Sequence, residues 1–221
     1  MNSLDTQPLS GLLDKLFAEA EKSHTAMRQE LANLTPAERA ANEQSRGDYK
    51  TFYMTRAKNV YLSVSRATGT LLYMLARSIE ARSVVEFGTS FAISTLYLAA
   101  AMKDNGGGRV IGTEFEPSKV ARARANIAAA GLSEFVEVRA GDALESLARD
   151  LPPTLDLVLL DGAKSLYSPV LALLAPHLRS GALVVADNAA MAPEYIQAVR
   201  KPGSGYVSTQ CIDDVELSLK L

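Results

Sequence analysis

From residue 83 to residue 187 the chain alternates short β-rich runs with helical ones, and that rhythm constrains the fold more than any other feature. Strands are expected at SVVEFG (83–88), RVIGTE (109–114), FVEVRA (135–140), LDLVLLD (155–161) and ALVVAD (182–187). Helices are expected between them, over about 91–103, 117–131, 143–150 and 168–179. Such β-α alternation predicts a parallel sheet covered on both faces. The rhythm then breaks. GYVSTQ (205–210) and VELSLKL (215–221) are separated only by CIDD. Two strands joined so closely must be antiparallel, because a parallel pair needs a long crossover. The sheet is therefore predicted to finish with a reversed strand.

The first 80 or so residues have a different texture. Leu12, Leu13, Leu16, Phe17 and Ala20 share one helical face, as do Met27, Leu31 and Leu34. Thr35-Pro36-Ala37-Glu38 reads as an N-cap, a first-turn proline and a capping-box glutamate. SRGDYK (45–50) looks like a break before a further helix over about 65–79. This suggests a helical arm over residues 1–55 and a second unit over 56–221. The amphipathic arm has to bury its face, over the mouth of the site or against a partner subunit.

Composition narrows the function classes. With 221 residues, 48% hydrophobic and 22% charged, the chain suits one large domain with an added arm. The formal net charge of −2 provides no global basic field for nucleic acid, although a local patch would suffice. Cys211 is the only cysteine, which excludes an internal disulfide and a cysteine-based zinc cage. The two histidines, His24 and His177, are far apart in sequence and, with Cys211, take a structural reading. The N-terminus lacks the basic start and apolar core of a signal peptide, and no apolar run approaches a membrane span. These features read as a cytoplasmic protein.

In open parallel sheets the site lies at the carboxyl ends of the strands. Glu86, Glu114, Asp161 and Asp187 stand there, with Asn188 beside the last. Acids also terminate strands and cap helices, but four such strand ends and an asparagine together are harder to assign that way. A pyrophosphate site would carry several glycines after the first strand, where this chain has Glu86, then Gly88, and Ala92 in place of a later glycine. A carboxylate there suits a cationic group, and Glu114 at the second strand suits a ribose diol. A ligand with an ammonium group, a ribose and no phosphate is S-adenosylmethionine (SAM).

The same stretches resemble a known family. VVEFGTSFAISTLYLA, GTEFEPSKVARARANIAAAGL, LLDGAK, VVADNA and the final VELSLKL are similar to motifs of the class I methyltransferases, in particular the catechol and caffeoyl-CoA O-methyltransferase group. The resemblance covers about residues 60–221. It implies a Rossmann-like α/β fold, a seven-stranded mixed sheet with one antiparallel strand near the C-terminus. It also implies SAM as cofactor, a divalent cation such as Mg²⁺, a small hydroxylated acceptor and a homodimer. By the same resemblance, Ser94 and the backbone around Val64 would hold the methionine carboxylate. Glu86 and Gly88 would lie near the ammonium end, and Glu114 would take the ribose. Asp142 and Ala143 would face the adenine. Asp161, Asp187 and Asn188 would ligate the cation, Asp161 also bordering the cofactor. Lys164 would be the general base beside the substrate, and Glu216 would face the substrate as well.

Alternatives stay open beside these roles. Lys164 also reads as a solvated loop lysine, Asp142 and Asn188 as helix caps, and Tyr167 and Met191 as core residues or as the lining of a substrate pocket. The basic run SKVARARAN (118–126) reads as a solvated helix face with its alanines packed inward. Three functions fit: a metal-dependent methyltransferase acting on vicinal hydroxyls, a modifier of a hydroxylated tRNA base, and a SAM-binding protein without transferase activity. Ala92 is the feature that favours the third.

Overall fold

The structure, a computed structural model, describes residues 2–38 and 49–221. Seven strands form one sheet in the order β3-β2-β1-β4-β5-β7-β6. They are β1 (Ser83–Phe87), β2 (Arg109–Glu114), β3 (Val136–Ala140), β4 (Leu155–Leu160), β5 (Leu178–Ala186), β6 (Tyr206–Gln210) and β7 (Glu216–Lys220). The first five are parallel; β7 runs antiparallel to both β5 and β6. The expected reversed strand is thus present, inserted one place in from the edge.

The helices of the described residues are α1 (Leu9–Ala32), α2 (Tyr49–Met54), α3 (Arg66–Ser78), α4 (Ile93–Asp104), α5 (Pro117–Ala129), α6 (Ala143–Ser146), α7 (Tyr167–Leu174) and α8 (Pro193–Arg200). Alternation within the strands divides the core in two. Leu157, Leu159, Val84 and Val185 pack with α1, α3, α4 and α5 on one face. Val158, Leu160, Val85 and Val184 pack with α6, α7 and α8 on the other. Because both faces are covered, β4 reads as the unbroken apolar run LDLVLL. Helix α4 is buried almost all round, sandwiched between the sheet and the α1–α3 layer, which is why ISTLYLAAAMKD shows no polar face until its end.

The arm is built into this core. Leu9, Leu13, Leu16 and Ala20 of α1 join the same apolar cluster as β1 and α4. The capping box also forms: Glu38 Oε2 accepts from Thr35 N at 2.8 Å, and Thr35 Oγ1 accepts from Glu38 N at 3.3 Å. Residues 45–48 of the expected break lie outside the described residues.

Candidate active site

Strand order reverses between β1 and β4, whose C-terminal ends touch: Asp161 N donates to Phe87 O at 2.8 Å. Ligands of such sheets bind at this reversal. A partly enclosed cavity lies there, lined by Gly88, Ser90, Glu114, Phe115, Lys119, Asp142, Ala143 and Asp161, with Tyr49, Tyr53 and Leu62 closing over it. Gly88 has φ +100, and a Cβ on it would meet Asp161 O at 2.6 Å. Only glycine lets the two strand ends and a ligand approach so closely.

Glu86 supports this loop from behind. It is fully buried, and its carboxylate accepts from Thr89 Oγ1 (3.0 Å), Ser94 Oγ (2.7 Å) and Thr95 Oγ1 (2.5 Å). Burial pushes its carboxyl up, against the pull of those three hydroxyls. Gly112, its register partner on β2, leaves room for the network; a Cβ there would stand 2.3 Å from Thr89 Oγ1. Ala92 enters α4 with φ +71, the left-handed conformation that a glycine takes without penalty.

Glu114 ends β2 with both oxygens fastened to backbone, Oε2 to Ser90 N (2.8 Å) and Oε1 to Glu116 N (2.9 Å). Each oxygen retains acceptor capacity toward the cavity. At the far wall Asp142 caps α6 through Leu144 N (3.0 Å) and pairs with Lys50 of α2 at 3.0 Å. Burial raises its carboxyl, but Lys50 and the Leu144 amide outweigh that and hold it below the usual range.

A second cavity meets the first at Tyr49, Tyr53, Leu62, Asp161 and Ala163. Its walls include His24, Met27 and Leu31 from α1, Phe52 from α2, and Lys164, Asp187, Asn188 and Met191 from the sheet side. Lys164 Nζ donates to Tyr167 Oη (2.7 Å), Asp187 O (3.1 Å) and Asp161 Oδ1 (3.3 Å). Tyr167 is fully buried and also donates to Asp187 O at 2.7 Å, so it fixes the lysine. Burial pushes the Asp161 carboxyl up to about 7; the Lys164 ammonium opposes the rise and the Asp187 carboxylate adds to it. Burial raises Asp187 as well, with Lys164 opposing and Asp214 and Asp213 adding. Tyr53, between the cavities, is raised to about 12 by burial and by the Asp161 and Glu114 carboxylates.

Residues 85–189 match a family described as a methyltransferase domain. A catechol O-methyltransferase from Niastella koreensis is 35% identical over 130 residues, a segment that spans 58% of each chain. Among solved structures, the O-methyltransferase TomG from Streptomyces achromogenes in complex with SAM superposes with a TM-score of 0.65 at 26% identity, covering 76% of this chain and 86% of that one. Cofactor-bound Rv0187 from MTB gives 0.66 at 28% identity, covering 86% and 92%. Residues 85–189 thus share a methyltransferase domain, and the chain shares its fold with O-methyltransferases of known structure.

Several of the candidate site residues line the two cavities. Gly88, Glu114, Asp142, Ala143 and Asp161 converge on the first cavity, and Lys164, Asp187 and Asn188 on the second. Others lie elsewhere. Val64 is buried in the core, and its neighbours Leu62 and Ser63 line the cavities instead. Ser94 spends its hydroxyl on buried Glu86, so neither side chain borders the first cavity. Glu216 faces away from both cavities, because Arg200 of α8 takes its carboxylate in a bidentate pair (2.7 and 2.6 Å) and Ser208 adds a third bond at 2.5 Å.

The basic run also needs correction. Arg122 and Arg124 are solvated, but Lys119 is 1% exposed and lines the first cavity. His24 and Met191, read as structural or core, line the second cavity, and Tyr167 is the lysine's support. The sequence signal for Tyr167 was its spacing: three residues beyond Lys164, it lies one turn along the same helical path.

Proposed function

We propose that this methyltransferase moves the methyl group of SAM to one hydroxyl of a small planar acceptor bearing neighbouring hydroxyls, and that a divalent cation, Mg²⁺, takes part. One observation carries the reading: two adjoining cavities share Asp161 and Tyr53, so a donor in the first and an acceptor in the second would meet at that wall. SAM is bound by the solved relative TomG, and catechol O-methyltransferase is the name of the Niastella relative.

The donor set fits the cation. Burial raises the Asp161 and Asp187 carboxyls, and Asp187 adds to the rise at Asp161, so their charged forms are costly unless a cation such as a dication stands beside them. With the Asn188 amide they form an all-oxygen set suited to Mg²⁺. Among the described residues no group of three or more His, Cys, Asp or Glu side chains forms a site on its own. Bound there, the cation would lower the pKa of an acceptor hydroxyl and fix its direction.

The remaining work falls to side chains. Lys164 Nζ, held by Tyr167 Oη and Asp187 O, stands in the wall of the acceptor cavity, where its neutral form can take the hydroxyl proton. The Glu114 carboxylate orients the ribose of the donor, and Gly88 lets the donor lie close against the strand ends. Tyr49, Tyr53 and Leu62 cover the joint between the cavities and keep water from the reacting atoms.

The test is incubation with labelled SAM and Mg²⁺ against catechols, hydroxycinnamoyl thioesters, flavonoids and bulk tRNA, each with and without EDTA. Label is expected on a catechol-type acceptor and is expected to vanish in EDTA. Label on tRNA alone, or transfer undiminished in EDTA, would overturn the acceptor or the metal.

A further inference from the structure

Lys119 is an anomaly among the lysines. It lies in the first turn of α5, directly after the helix cap Glu116, and is 1% exposed. Its stem packs beside Phe91, with Nζ 5.3 Å from the ring centroid. Among the described residues the ammonium's only hydrogen bond is a long one, 3.5 Å to Ser90 Oγ. An ammonium carries three donors, and leaving them unmet in a buried wall is costly. Yet the atom borders the first cavity, beside Ser90 and Glu114.

We infer that Lys119 and Glu114 form a two-sided clamp on the ribose of the cofactor. This rests on the reading that the first cavity takes SAM. Each ribose hydroxyl is both donor and acceptor. Glu114 offers acceptor sites only, with both oxygens already aligned by the Ser90 and Glu116 amides. Lys119 offers donors only. An acid and a lysine on one rim therefore complete both halves of the diol's hydrogen bonding, which a carboxylate alone cannot do. The clamp is set by chain geometry. Glu114 ends β2, Glu116 caps α5 through Lys119 N at 2.8 Å, and that cap turns the Lys119 side chain inward instead of out with Arg122. The lysine thus becomes a positioning residue for the donor and takes no part in proton transfer.

The experiment is calorimetric titration of the wild-type protein and Lys119→Met with S-adenosylhomocysteine (SAH), with its 2′,3′-dideoxy analogue and with 5′-methylthioadenosine. Methionine keeps the length and apolar stem of lysine. If that variant does not fold, Lys119→Gln replaces it. The variant is expected to bind SAH about tenfold or more weakly, the size of a charged hydrogen bond lost. It should lose a similar factor for 5′-methylthioadenosine, which retains the ribose. For the dideoxy analogue the two proteins should agree within about twofold. A merely structural lysine would weaken all three ligands alike, and that result overturns the clamp, as does unchanged SAH affinity. A loss confined to SAH would move Lys119 to the amino-acid end of the ligand and overturn the clamp as well. Failure of the wild-type protein to bind SAH at all would instead overturn the SAM reading on which the clamp rests.

Discussion

Lys164 is held by two neutral oxygens and one carboxylate, an arrangement that aims its nitrogen without neutralising it. Lys164→Met is expected to lower turnover at least ~100-fold, the usual reach of a general base. SAH affinity should stay nearly unchanged, since the first cavity does not include Lys164. Initial rates and calorimetry on one preparation check both halves. Tyr167→Phe removes one partner each from Lys164 Nζ and from Asp187 O inside the core. It should cost roughly 1–3 kcal/mol of stability and a smaller share of the rate than Lys164→Met, read by denaturant titration beside the rate assay. At Gly88 a methyl would strike the Asp161 carbonyl at a φ of +100. Gly88→Ala is expected to abolish measurable SAH binding, and a variant that binds as the wild type does would remove Gly88 from the site. The placement of Lys164, Asp161 and Asp187 beside one cavity was legible in sequence because each stands at or just past the end of an apolar run. Lys119 was not, because a basic run on a helix looks uniform until the cap decides which member turns inward. Glu216 was misread because nothing in VELSLKL announces that Arg200, sixteen residues earlier, claims it.

At the scale of elements, helix α1 does two jobs along its length. Its first three turns bury Leu9, Leu13 and Leu16 in the core shared with α4 and the sheet, while its later turns carry His24, Met27 and Leu31 to the wall of the second cavity. Leu16 is fully buried, so Leu16→Ala should cost about 3 kcal/mol, within the range for a large core deletion. In a chain of this size that lowers Tm by roughly 6–12 °C, measurable by calorimetric scanning. An unchanged Tm would mean that the arm folds apart from the sheet. Strand positions were readable from their β-branched runs, with ends within a residue or two. The exception is β5, which begins at Leu178 and not near residue 182. It passes Gly181 at φ +79, and its pairing with β4 shifts register between Leu155 and Leu157, an irregularity no alternation pattern displays. The helix expected over 143–150 stops at Ser146, and Asp150 takes φ +54 soon after.

For the whole molecule, the first cavity touches the acidic set only through Asp161. EDTA is therefore expected to stop transfer by at least ~100-fold, with recovery on added Mg²⁺, while SAH affinity changes less than ~3-fold. Loss of SAH binding in EDTA would place the cation under the donor instead of the acceptor. The same reading expects a homodimer, and sedimentation at micromolar concentration returning a monomer would count against it. The division of labour along α1 also bears on how such a chain diversifies. His24, Met27, Glu30 and Leu31, which line the second cavity, are half-buried or exposed and lie past the last core contact of the helix at Ala20. Mutations at Met27 and Leu31 would reshape the second cavity while leaving the buried turns of the helix in place, whereas Glu114 at the end of β2 and Gly88 just past the end of β1 are tied to the strands that form the sheet.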